Sequence, residues 1–416
     1  MRRAAILLPV LSILLVGLVF GQTQKRVIPI NAADAESIEI TIEVKPTPPS
    51  KDRPNMQLAI LLDTSNSMDG LINQAKSQLW TIINQCSKAS YNGQVPNLTI
   101  AVFEYGNDRL PATEGYIRQV LPFTNDLDAV SKELFSLTTN GGEEYCGTVI
   151  EKAIKRLDWS DNPNDYKAIY IAGNEPFTQG QFSYKEACSL ARSNNIIVNT
   201  IHCGAYDTGI QGMWQHGASL ASGQYLNINQ DRKVVHIATP YDDDLTRLGS
   251  EINETYVWYG TAREQNHYRQ NQIAQDRNAG MMGGMARLSR SSAKASKSYR
   301  NTKNDLVDAI EEEGVKKLGE VKSEELPKAM QGMDQDEQVK FVKEQKAKRE
   351  SIRNEIANLE TKRQAFLAKK RKDQAKDTLG DAITITIIDQ LKINGFKIEV
   401  PVEVNNDKDK QEQASE

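Results

Sequence analysis

Ile60-Leu61-Leu62-Asp63-Thr64-Ser65-Asn66-Ser67-Met68 is an apolar run that ends in an aspartate, followed by two serines at alternate positions and then a helix-like stretch. An apolar strand leading through a short polar loop into a helix is how an open α/β sheet presents ligand groups at the carboxyl end of a strand. Asp63, Ser65 and Ser67 place one carboxylate and two hydroxyls around one point, all hard oxygen donors of the kind Mg²⁺ takes. The same residue types also serve as helix N-caps, and that reading stands beside the metal one.

Working outward, Met56 to Leu62 is apolar almost throughout, as expected of a strand buried on both faces of a parallel sheet. Leu71, Ala75, Leu79, Ile82 and Ile83 follow at helical spacing, and the helix runs to about Cys86. The alternation continues. Strands are expected at 98–103, 116–121, 167–172, 196–202 and near Tyr225-Leu226, with helices at 127–137, 149–157, 184–192, 214–221 and 242–256. Two loops in this series carry polar groups toward the Asp63 edge: Thr138 to Gly147, with Glu143 and Glu144, and Gly173-Asn174-Glu175-Pro176-Phe177. The pattern predicts a doubly wound α/β domain with a mainly parallel sheet over residues 56–260.

Ahead of this domain, Arg2 and Arg3 precede an apolar run from Ala4 to Phe20 and then Gly21-Gln22, which reads as a signal peptide over residues 1–21. The expected product is exported, whether periplasmic, cell-surface or secreted, and its remaining sequence has no second membrane-length apolar segment. Residues 22–55 hold an alternating stretch, Ser37 to Val44, and a Pro-rich linker from Lys45 to Pro54. The formal charge of −4 becomes more acidic by two once Arg2 and Arg3 are removed, which argues against nucleic-acid binding.

Export permits disulfides among Cys86, Cys146, Cys188 and Cys203, and a Cys188–Cys203 pair is favoured because both residues are expected near the Asp63 edge. The scattered histidines lack zinc-site spacing. Beyond Gly260 the character changes. Residues 261–300, with Met281-Met282-Gly283-Gly284-Met285 and a Ser/Arg/Lys-rich run, read as a flexible linker. Residues 301–376 read as a helical hairpin or short coiled coil, whose seam of Val342, Ile352, Ile356, Leu359 and Phe366 is interrupted by Arg349 and Arg363. The Lys370-Arg371-Lys372 run is balanced by nearby acids and reads as a solvated face. In residues 377–416, Leu379, Ile383, Ile387 and Leu391 fit a helix capped by Gly395, while β-branched Ile383 to Ile388 also fits a strand; Phe396 to Val404 looks extended and a polar tail follows.

The Asp63 loop, its preceding strand and the α/β alternation over about residues 57–260 resemble the von Willebrand factor A domain. The three loops beginning at Leu62, Thr139 and Ile171 look like those of exported bacterial proteins of that kind with a helical C-terminal region. The resemblance implies a metal-ion-dependent adhesion site, in which three loops gather around Mg²⁺ and a partner's acidic side chain completes the coordination. Asp63, Ser65 and Ser67 match the first loop and inherit the ligand role. Glu144 stands where the second loop usually offers Thr. Ala172-Gly173-Asn174 stands for the usual Thr-Asp-Gly, so Gly173 lacks the expected carboxylate, and Asn174 or Glu175 lies close to its place. A Glu144 beside Asp63 would neutralise the ion more fully and weaken its pull on a partner carboxylate.

The expected function is therefore exported protein–protein interaction through a divalent ion, Mg²⁺ or else Mn²⁺ or Ca²⁺, held by Asp63, Ser65, Ser67, Glu144 and Asn174. One competing reading is an envelope assembly protein that works, and self-associates, through its helical region over a vestigial metal site. Another is a metal-dependent hydrolase, whose general base would have to come from Glu143, Glu144 or His202. No nucleophile–base set and no phosphate-binding loop of the Walker type is evident, so no enzymatic activity is expected.

Overall fold

The computed structural model describes residues 53–232, 236–370 and 378–398. The expected signal peptide, the Ser37–Val44 strand, most of the Pro-rich linker, Arg371-Lys372 and the polar tail lie outside the described residues. In chain order the elements are β1 (Asn55–Asp63), α1 (Asp69–Cys86), β2 (Ala89–Ser90), β3 (Asn97–Tyr105), β4 (Ile117–Thr124), α2 (Leu127–Ser136), α3 (Cys146–Arg156), β5 (Tyr166–Gly173), α4 (Tyr184–Ser193) and β6 (Ile197–Cys203). They continue with α5 (Tyr206–Gln211), α6 (Trp214–Leu220), β7 (Tyr225–Ile228), α7 (Asp242–Glu251), α8 (Ala262–Met281) and α9 (Gly284–Ala295). The series closes with α10 (Leu306–Glu313), α11 (Lys316–Glu320), α12 (Gln335–Lys370), α13 (Leu379–Ile393) and β8 (Lys397–Ile398).

Six strands form one sheet in the order β4-β3-β1-β5-β6-β7, parallel except for the β4 edge, so the expected doubly wound α/β architecture is present. β1 is apolar at every position from Leu58 to Leu62 because both its faces are covered. Met56, Leu58, Ile60 and Leu62 pack with α1, α2 and α13, whereas Ala59 and Leu61 pack with α3, α4 and α6. From β1 the chain crosses by α1 to β3 on one side, and from β5 it crosses by α4 to β6 on the other. The loops after β1 and β5 therefore diverge, which opens a crevice at the carboxyl ends of these two neighbours.

Residues 261–300 are not a flexible linker. They form α8 and α9, packed on α2 and α1. Their polarity misleads because their interior charges are paired. Arg290, 1% exposed, lies 4.2 Å over the Trp80 ring and bonds Asp128 at 2.5 Å and Asp276 at 2.9 Å.

The helical C-terminal region is dominated by α12, laid along α7, α9 and α10. Its buried residues Val342, Arg349, Ile356 and Arg363 recur every seven positions, so the two arginines belong to the buried face that they seemed to interrupt. Arg349 is fully buried. Its guanidinium bonds Asp305 at 2.8 Å, Asp308 at 3.0 Å and the Thr255 carbonyl at 2.8 Å, and it lies 4.0 Å from the Tyr256 ring centroid.

The helix-or-strand ambiguity after residue 377 resolves as α13, opened by a Thr378/Asp381 capping box and followed by Gly395 at φ +81°. Gln390 fixes its seat on the sheet. Its amide donates to Asn199 Oδ1 at 2.7 Å, and its Oε1 accepts from Asn199 at 3.1 Å and from the Tyr166 hydroxyl at 2.6 Å. Of the expected extended segment 396–404, Lys397–Ile398 pairs with β2 as a two-residue strand. Among the described residues, no helix is long and apolar enough to cross a membrane.

All four cysteines are free and buried, so the favoured Cys188–Cys203 disulfide is absent. The sequence placed both near one edge but could not assign them to a face. Cys188 packs in the core on the α3/α4 side of the sheet and Cys203 in the core on the α1 side.

Candidate cation site

Strand pairing brings the carboxyl ends of β1, β3, β5 and β6 level: Asp63 lies opposite Tyr105, Leu62 opposite Ala172, and Gly173 opposite His202. Asp63 is fully buried. Its Oδ1 accepts from the Ser65 backbone N–H at 2.8 Å, which folds the loop back over the strand end, while its Oδ2 is buried without a hydrogen bond. The Thr64 N–H donates to the Tyr105 carbonyl at 2.8 Å and the Asn140 N–H to the Thr64 carbonyl at 3.0 Å, tying the first loop to β3 and to the second loop.

Gly106, at φ +77°, sits beneath this arrangement. A Cβ there would lie 2.9 Å from Asp63 Oδ1, 2.9 Å from Glu144 Cγ and 3.6 Å from Ser65 Cβ, so these three side chains close on one glycine. Ser67 and Asn174 form a second pair, the Asn174 amide donating to Ser67 Oγ at 3.2 Å. The five expected donors thus occupy the same strand-end crevice in two linked groups. Gln179 bridges the other loops: its Oε1 accepts from the Glu144 N–H at 3.4 Å and its amide donates to Glu175 at 3.4 Å.

Two carboxyls here are held well above their ordinary range. Burial, followed by the Glu144 and Glu175 charges, raises Asp63 to about 7. Burial and then the Glu175 charge raise Glu144 to about 7. No cationic side chain bonds either one among the described residues. A buried carboxylate of this kind needs a counter-charge or a proton.

The residues present fit a hard divalent cation. Asp63 Oδ2, Ser65 Oγ and Asn174 Oδ1 are each buried without a hydrogen bond. Buried polar atoms are rarely left unpaired, and a bound ion or ordered water is what satisfies such groups. Among the described residues, no cluster of three or more His, Cys, Asp or Glu could hold a metal by itself. The donor set depends on hydroxyl and amide oxygens beside its carboxylates, a chemistry suited to Mg²⁺ or Ca²⁺ rather than zinc.

The structure also gives a reason for Gly173. A Cβ at that position would meet the Tyr105 hydroxyl at 2.5 Å and Asp63 Oδ2 at 3.0 Å. Tyr105 spends that hydroxyl on the Ala172 carbonyl at 3.0 Å, bracing β3 across the sheet to β5. Tyr105 and Gly106 were not among the expected site residues. Their position at the end of a strand pointing to the same edge was the signal available. His202, weighed above as a base, bonds the Asn174 carbonyl through Nε2 at 3.2 Å, and burial lowers its pKa. It therefore braces the third loop.

Residues 57–215 match the family model of the von Willebrand factor type A domain. Domains of this type typically mediate protein–protein interaction. Among solved structures, the chain is similar to the SpRpn10 VWA domain at 18% identity, covering 42% of this chain and 88% of that one, with a TM-score of 0.33. It is similar to the conserved hypothetical protein BatB from Bacteroides thetaiotaomicron at 15% identity, covering 54% and 100%, with a TM-score of 0.32. An aerotolerance-related membrane protein from Bacteroides fragilis is similar at 17% identity, covering 42% and 94%, with a TM-score of 0.30. Comparison with curated proteins returns no match.

Proposed function

We propose that the von Willebrand factor A domain of this chain is an exported protein-binding module, and that it holds a divalent cation at the crevice between β1 and β5. Asp63, Ser65, Ser67, Glu144 and Asn174 would hold the ion, which when bound supplies a Lewis-acidic point of attachment for a side chain of the partner. The observation that carries this reading is the set of three buried oxygens without hydrogen bonds, Asp63 Oδ2, Ser65 Oγ and Asn174 Oδ1, beside two carboxyls that lack a cationic partner.

The chain's own groups have separable parts in this reading. Ser65 N–H orients the Asp63 carboxylate, Gly106 leaves room for Glu144 to approach it, and His202 and Gln179 hold the third loop in place. Two carboxylates near one ion offset most of its charge, so the partner's group is bound weakly and its neighbours on the partner must add contacts. Export rests on the Arg2-Arg3 and Ala4–Phe20 pattern of the sequence.

The test is capture of envelope proteins on the immobilised mature chain in Mg²⁺ and in a chelator, with Asp63→Ala alongside. Proteins retained by the wild type in Mg²⁺, released by chelator and absent from Asp63→Ala support the reading. Retention that ignores both chelator and Asp63→Ala contradicts it and favours assembly through the helical region.

A further inference from the structure

A cleft of about 520 Å³ lies between α7, α8 and α9, away from the crevice that holds Asp63. Its volume is in the range of small-molecule sites. Two of its lining cations, Arg290 and Lys294, are each 1% exposed and already matched. Arg290 bonds Asp128 and Asp276, while Lys294 donates to Asp276 at 2.8 Å, to Asn253 at 2.9 Å and to the Gly249 carbonyl. Two buried cations therefore face two carboxylates, and their charges cancel.

Two more cations line the same cleft and have no such match. Arg277, on α8, and Arg287, on α9, are exposed and form no ion pair among the described residues. Both line the cleft, and Gly280, on α8 three residues after Arg277, leaves room for Arg287. A Cβ at Gly280 would lie 3.2 Å from Arg287 Nη2, so the Arg287 guanidinium reaches from α9 across the bare backbone of α8 into the cleft. Burial lowers Lys294 to about 8, the Arg290 charge adding to that effect and the Asp276 charge opposing it.

A guanidinium offers a planar fork of donors that fits an oxyanion, and two of them on facing helices fit an anion of at least two charges. We propose that this cleft binds a small multiply charged anion, phosphate- or carboxylate-bearing, held by Arg277 and Arg287 above the Arg290 and Lys294 wall that Asp128 and Asp276 neutralise. The proposal is independent of the cation site at Asp63.

The experiment is calorimetric titration of the mature chain with pyrophosphate and, separately, with citrate, at low salt and without divalent cations. The proteins compared are the wild type, Arg277→Gln, Arg287→Gln and Arg263→Gln, the last an exposed arginine on α8 that does not line the cleft. All three substituted positions are exposed, so the variants should keep the wild-type circular dichroism and unfolding midpoint. The expected result is one-site binding of at least one anion, weakened about tenfold or more by each of Arg277→Gln and Arg287→Gln and within about twofold of wild type in Arg263→Gln. Which anion binds identifies the chemistry. No binding of either anion by the wild type at concentrations up to about 5 mM, or binding that both cleft variants retain in full, overturns the proposal.

Discussion

Asp63, at the end of β1, and Glu144, from the loop before α3, close on the same glycine, each with an atom 2.9 Å from the place a Cβ would occupy on Gly106. Neither carboxyl has a cationic side chain bonded to it among the described residues, and both are raised to about 7, chiefly by burial. Leaving two carboxyls in this condition is unfavourable for folding, and a cation would offset it.

The pH dependence follows. An unfolded aspartate titrates near about 4, whereas folded Asp63 titrates at about 7. Between these values the folded chain holds a proton that the unfolded chain has released, so the Asp63 contribution to stability falls as pH rises and is least favourable above about pH 7. Unfolding midpoints of wild type and Asp63→Asn, measured without cation at about pH 5 and about pH 8, should show Asp63→Asn gaining on wild type at the higher pH. Added Mg²⁺ or Mn²⁺ should raise the wild-type midpoint at the higher pH and much less at the lower. Equal stabilisation at both, or in Asp63→Asn, would count against the site.

Restoring an aspartate at Gly173 should harm the fold. Its Cβ would meet the Tyr105 hydroxyl at 2.5 Å, and overpacking of this kind costs about 1–3 kcal/mol. Tyr105→Phe removes that oxygen, so the double variant should be more stable than the sum of the single effects, by denaturant titration of the four proteins in a double-mutant cycle. Strict additivity would place the strain elsewhere.

Arg349→Ala should destabilise the chain by about 3–5 kcal/mol, since it leaves Asp305 and Asp308 buried without their counter-charge. Lys346→Ala, one turn earlier and exposed, should be nearly silent. Chemical denaturation read by circular dichroism distinguishes them. A mild Arg349→Ala would mean that α12 is seated by its apolar residues alone.

The four cysteines should resist a thiol reagent in the folded chain and all react once it is unfolded, because each is buried and burial raises its thiol pKa. Fewer than four reactive thiols in denaturant would reveal a disulfide.

Legibility followed the physics of burial. The β1 run and its neighbours were readable because strands covered on both faces must be apolar, and Asp63 stood out as the first polar residue after such a run. The helices on the sheet were readable by period. Residues 261–300 were not, because Arg290 and Lys294 are buried charged groups whose partners Asp128 and Asn253 lie elsewhere in the chain. Arg349 and Arg363 misled for the same reason. At the site, the role of Tyr105 in excluding a side chain from position 173 depends on a contact across the sheet, which spacing along the chain cannot show.

Calorimetric titration of the protein with Mg²⁺, Mn²⁺ and Ca²⁺ reads out whether Asp63 and its neighbours hold a divalent cation. One site in the wild type, lost in Asp63→Ala and weakened in Glu144→Gln, is the predicted result. A wild type that binds none of the three ions, or binding that survives Asp63→Ala unchanged, would contradict it.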